Sequence, residues 1–153
     1  TSGNIAEVLD LLGVAYPVQL KGTMGPDSLV LMYGQKEIFD SKGFMMVNAP
    51  VEKRIVFISE IRDLATANQE AAVWEPTMTT SFQGLFVLTV TKQFNSTFLD
   101  NNYSGTAVRY RNFPWPDKSI DYGTVFAANG KSYLVLAGSR ESMYSAIDKL
   151  KGF

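Results

Sequence analysis

The chain has 153 residues, 46% hydrophobic and 19% charged, a size and composition suited to one globular domain with a single core over residues 1–153 and unlike the low-hydrophobicity, high-charge disordered regime. Fourteen basic residues against fifteen acidic ones leave a formal charge of -1, so no global field draws in nucleic acid or an anionic membrane. With neither histidine nor cysteine, the chain has no disulfides, no thiolate or imidazole catalysis and no nitrogen- or sulfur-ligated metal site.

In chain order, Ile5, Val8, Leu9 and Leu12 recur at helical spacing behind Asn4, with Glu7 three residues after that cap and Gly13 beyond the end, which predicts an N-terminal helix. Pro17 stops it. Val18 to Met24 and Ser28 to Tyr33 read as strands joined by the turn tripeptide Gly25-Pro26-Asp27, a first hairpin. The apolar runs Phe44-Met45-Met46-Val47 and Arg54-Ile55-Val56-Phe57-Ile58 are expected as central strands buried on both faces. From Glu60 to Ala72 the period changes, with Ile61, Leu64, Ala65, Asn68 and Ala72 along one stripe; a middle helix is predicted, closed by Pro76.

Between Thr77 and Thr106 only Lys92 and Asp100 carry charge, and alternating Phe86, Leu88 and Val90 predict a strand over Leu85 to Thr91. Further strands are expected at Ala107 to Tyr110, Thr124 to Ala127 and Ser132 to Leu136. Asn129-Gly130 predicts an antiparallel hairpin with a type I′ turn between the last two. Met143, Ile147 and Leu150 mark a C-terminal helix, entered through Ser139 or Ser142 and ended by Gly152,. The fold class read from this order is α+β: a single antiparallel or mixed β-sheet, covered on one face by an N-terminal, a middle and a C-terminal helix.

Patterns that would carry chemistry are incomplete. Gly130-Lys131-Ser132 resembles the end of a phosphate-binding loop, but the required earlier glycine is Val125,. Neither Gly-x-Ser-x-Gly nor Ser-x-x-Lys occurs, which removes the common serine nucleophile arrangements. Asp117 and Asp121 read as a solvated loop, and Asp100-Asn101-Asn102 as a turn in place of a calcium loop. No cofactor, metal site or catalytic residue is assigned, and the chain is read as a non-enzyme.

The densest concentration of recognition chemistry is Arg109 to Lys118, with two arginines, three aromatics and two prolines in ten residues. Arginine and aromatic side chains concentrate binding energy at interfaces, and prolines restrain a loop. Arg109, Tyr110, Arg111, Phe113 and Trp115 are therefore the candidate binding residues, against the competing reading in which Phe113 and Trp115 cap the core; Trp74 is assigned to core. Asn95-Ser96-Thr97 and Asn102-Tyr103-Ser104 fit the N-glycosylation pattern,. With the polar, charge-poor β stretch they favour an extracytoplasmic or secreted protein. Thr1-Ser2-Gly3 reads either as a processed start, with a removed signal or N-terminal anchor, or as a cloning remnant.

The function expected is a non-catalytic extracytoplasmic or cell-surface domain that binds a protein or surface partner. The alternative is a carrier or sensor for a small apolar ligand, its pocket lined by methionines such as Met24, Met32, Met45 and Met46. No nucleic acid and no membrane span are expected; a homo-oligomer through open β edges is compatible with the pattern.

Overall fold

The computed structural model describes residues 4–86, 88 and 97–153. Chain order runs α1 (Ile5–Leu11), α2 (Val18–Thr23), β1 (Met24–Gln35), β2 (Glu52–Ile61), α3 (Leu64–Phe82), β3 (Leu99–Tyr103), β4 (Thr106–Asn112), β5 (Ser119–Phe126), β6 (Ser132–Ala137) and α4 (Arg140–Lys151). The strands form one six-stranded sheet in the order β1-β2-β6-β5-β4-β3, with every neighbouring pair antiparallel. The α+β class and the sheet expected from sequence are therefore present, with four helices among the described residues in place of three.

The helices cover both faces rather than one. Because side chains alternate along a strand, Phe57, Ile120, Tyr122, Leu134 and Leu136 join α1, α2 and α3 in one buried cluster, while Val56, Val108, Val125, Val135 and Ala137 meet Met143, Ala146 and Ile147 of α4 in another. The α3 side is aromatic: Phe82 lies 5.1 Å from Trp74, 4.7 Å from Phe86 and 6.2 Å from Phe57 between ring centroids. Each such pair adds to area burial on the order of 1 kcal/mol.

Two helices are capped as the sequence implies. The Asn4 side chain accepts from Glu7 N, Ser139 accepts from Ser142 N, and Gly152 takes the left-handed conformation at φ 85°, removing orphan polar groups at these ends.

Elsewhere the structure corrects the sequence reading. Val18 to Thr23 is helical, and Gly25-Pro26-Asp27 lies inside β1 at an irregularity in its register with β2, so the first hairpin does not form. Phe44 to Val47 is not a central strand: its side chains are 46–87% exposed on the β1–β2 connection. α3 begins at Leu64 and runs through Pro76 to Phe82, burying Ala67, Ala71, Trp74, Met78 and Phe82 while Leu64 stays exposed. This apolar stripe continues on both sides of Pro76, so packing outweighs the one lost backbone hydrogen bond.

Of the strand expected at Leu85 to Thr91, Leu85 and Phe86 form a turn after α3, Leu88 is in neither helix nor strand, and the rest lies outside the described residues. The β5–β6 hairpin is present, but only Gly130 has positive φ; Gly130 N bonds to Ala127 O and Ala127 N to Lys131 O, a type I turn with a glycine bulge. Paired positive φ values, 49° at Ser104 and 77° at Gly105, occur instead between β3 and β4.

Candidate functional site

The β4–β5 pairing distributes the expected binding residues. Arg109 stands opposite Tyr122, and Tyr110 opposite Asp121; with a period of two, Arg109 and Arg111 point to the α3 face and Tyr110 to the α4 face. The five residues therefore do not converge. Arg109 grips Glu75 of α3 through Nε and Nη2 at 2.7 and 2.8 Å and reaches Asp100 at 2.9 Å. Arg111 donates to Thr79 Oγ1 at 3.0 Å and lies 5.1 Å over the Phe113 ring. Phe113 is fully buried, and Trp115 is half-buried with its ring against Gly43, so close that a Cβ there would fall 2.7 Å from it.

Of the five, Tyr110 lines a cleft. Between β3–β5 and the start of α4, a cleft of about 310 Å³ is lined by Asn101, Tyr110, Asn112, Pro116, Asp121, Arg140 and Tyr144. Strand alternation places Tyr110 and Asn112 together; the i, i+4 spacing places Arg140 and Tyr144 together on α4. Asn101 donates to the Tyr144 hydroxyl at 2.5 Å, and the Tyr144 ring stacks on Tyr103 at 3.8 Å and 5°. Both contacts hold the Tyr144 ring in place.

Asp121 is the chemically distinctive group. It is 2% exposed, and among the described residues its carboxylate accepts one side-chain hydrogen bond, from the Ser119 hydroxyl two residues back on the same strand face. Burial pushes its carboxyl up to about 7, against the opposing influences of the Ser119 hydrogen bond and the Arg140 charge. An ionised carboxylate offers roughly four acceptor positions, so a ligand hydroxyl or N–H in the cleft meets an acceptor that protein groups only partly satisfy. Among the described residues Asp121 is the one carboxylate on this lining.

A larger, more open depression of about 590 Å³ lies on the other side of Arg140 and Tyr144. There Arg140 pairs with Glu37 at 3.0 Å, Glu141 accepts from the Tyr33 hydroxyl and from Lys36 N and Glu37 N, and Asp148 accepts from the Tyr103 hydroxyl. In the smaller cleft, by contrast, the buried Asp121 acceptor is less completely satisfied,.

Asn101, Asn112, Asp121, Arg140 and Tyr144, which are not among the binding residues expected from sequence, come from four elements. Asp117 and Asp121 are both buried rather than solvated: Asp117 accepts from Phe39 N at 3.1 Å through Oδ2 and from Arg54 Nε at 2.7 Å through its carbonyl. Met24 is buried while Met32, Met45 and Met46 are exposed, so these four methionines line no common cavity. Asn102 is exposed on β3 beside the Ser104-Gly105 turn, and the Asn95 tripeptide includes residues outside those described. No group of three or more acidic residues positioned to hold a metal occurs among the described residues, nor any helix long and apolar enough to cross a membrane.

Comparison of the chain with protein families, characterised proteins and solved structures finds no match.

Proposed function

We propose that this chain is a non-catalytic binding domain that takes a small hydroxylated ligand, such as a sugar unit of a surface partner, in the cleft between β3–β5 and α4. The observation that carries this reading is Asp121, a buried carboxylate facing a cleft whose other walls are tyrosine, asparagine and arginine. Sugars present an apolar C–H face and a rim of hydroxyls, matching tyrosine rings and a mixed set of donors and acceptors. The volume is near the lower end of small-molecule sites, roughly 300–1,000 Å³, and suits one or two ring units rather than a protein segment. An extracytoplasmic setting, expected from the charge-poor composition, is where such a ligand would be met.

The test is saturation-transfer NMR of the full chain against a panel of neutral and amino monosaccharides and their oligomers, repeated with Tyr110→Ala and Asp121→Asn. Transfer to at least one sugar, weakened about tenfold or more by either substitution with the fold intact, supports the reading. Silence across the panel, or transfer indifferent to both substitutions, refutes it.

A further inference from the structure

The β1–β2 connection displays Phe44, Met45, Met46 and Val47 at 68, 54, 46 and 87% exposure, followed by Val51 at 66%. Four consecutive large apolar side chains left in water cost hydration free energy, so burial elsewhere would be expected unless the segment is held out. It is held out. Asp40 Oδ1 accepts from Lys42 N at 2.9 Å and Phe44 N at 3.0 Å, and Asp40 N bonds to Phe44 O at 2.9 Å. Met46 N reaches Ile38 O at 2.7 Å, Phe39 bridges Met45, Asp117 holds Phe39 N, and Gly43 lies against the Trp115 ring. The result is a small, hydrogen-bonded ribbon whose apolar side chains project from it.

The surrounding charge identifies what it meets. The acids of this segment are engaged internally: Glu37 with Arg140, Asp40 with its own loop, and Glu52 with Arg54 at 2.7 Å. Lys36, Lys42 and Lys53 are exposed and, among the described residues, make no salt bridge. An apolar tip flanked by cations fits an anionic lipid surface, where the side chains enter the headgroup boundary and the lysines meet phosphate. A second copy fits poorly, because a two-fold contact through this tip would bring each Lys42 near its counterpart. The near-neutral net charge of the whole chain does not oppose this, since screening limits the interaction to charges within about a Debye length, ~8 Å, of the surface.

We infer that the Phe44–Val47 tip docks this domain onto anionic lipid bilayers by shallow insertion. The chain has no cysteine, so Val47→Cys carries a single environment-sensitive fluorophore, and Gln69→Cys on the exposed side of α3 serves as its control. With vesicles of phosphatidylcholine and phosphatidylglycerol, the label at position 47 shifts to the blue and the label at 69 does not; with phosphatidylcholine alone the shift is much weaker. In flotation of the unlabelled chain, Lys42→Gln weakens binding about fivefold, and Phe44→Ser with Met45→Ser weakens it about tenfold or more, each with unchanged circular dichroism. The inference is overturned by a chain that stays in solution with anionic vesicles, by binding insensitive to the Phe44 and Met45 changes, or by equal shifts at both labels. A blue shift at position 47 that grows with protein concentration without lipid overturns it too, and assigns the tip to a second copy.

Discussion

Arg109 of β4 holds Glu75 of α3 through two N–H···O bonds of 2.7 and 2.8 Å, and Tyr122, opposite Arg109 on β5, donates its hydroxyl to the same carboxylate. Burial works to raise the Glu75 carboxyl, but the hydrogen bonds from Arg109 and Tyr122 outweigh it and leave it below its ordinary value. Helix and sheet are thus joined by a polar clasp at the margin of an aromatic core.

Removing one partner leaves the other partly buried with only its weaker contact, Tyr122 for Glu75 and the exposed Asp100 for Arg109. Arg109→Met is expected to destabilise the fold by about 2 kcal/mol, and Arg109→Met with Glu75→Leu by less than the sum of the single changes. Denaturant unfolding of the four proteins measures the coupling; additive losses would show the clasp to be energetically idle. Since the folded Glu75 value is lowered, its contribution is present above the ordinary carboxylate range and fades as pH falls.

Asp121 carries the opposite sign. Its folded value of about 7 lies above the ordinary 3.8, so the native state binds more protons than the unfolded chain between these values, and its contribution to stability falls as pH rises through that window. Asp121→Asn removes this dependence. Relative to the parent, the variant should gain roughly 3–4 kcal/mol on going from pH 4 to pH 8, with little further change above. Urea midpoints across that range test it, and parallel profiles would place Asp121 in a better solvated environment.

Two glycines are required by their neighbours. A Cβ on Gly123 would lie 2.6 Å from the Ala107 carbonyl oxygen on β4, so Gly123→Ala must push β4 and β5 apart at a cost of about 1–3 kcal/mol. Gly43 has φ 85° and would place its Cβ 2.7 Å from the Trp115 ring; Gly43→Ala combines backbone strain with a clash. A lower melting temperature for the first, and for the second an altered Trp115 emission set against a Trp74→Phe background, are the expected results.

Pro76 sits inside α3 without an N–H to donate. Pro76→Ala gives the helix back a donor and is expected to stabilise the protein by about 1–3 kcal/mol. Thermal unfolding decides the matter, and a loss of stability would mean that the proline directs how Trp74 and Met78 pack.

Several elements were legible because their determinants are local. Asn4 with Glu7, Ser139 with Ser142, and Gly152 specify helix ends within a few residues, and glycine after Asn129 supports a tight turn whichever turn type forms. The stripe of α3 is hidden in the sequence because Pro76 reads as a stop, which leaves out Met78 and Phe82 and shifts the apparent face towards Leu64. Phe44 to Val47 misled for a different reason: an apolar run has the same composition whether it is buried or held out by hydrogen bonds from Asp40.

The candidate cleft was less legible still. Tyr110 was singled out with Arg109 and Arg111 as neighbours in sequence, yet a strand sends Tyr110 and the arginines to opposite faces, and the arginines are engaged with α3.

By itself the sequence determined the α+β class, the antiparallel β5–β6 pair, the ends of α1 and α4, and the lack of histidine and cysteine chemistry, since all of these follow from composition or short-range pattern. Only the tertiary structure decided that helices cover both faces, that Asp121 is buried on a cleft it shares with Tyr110 and Tyr144, and that an apolar tip stays in water. Those outcomes depend on the register between strands distant in sequence, which sets what each side chain faces, and no local spacing encodes it.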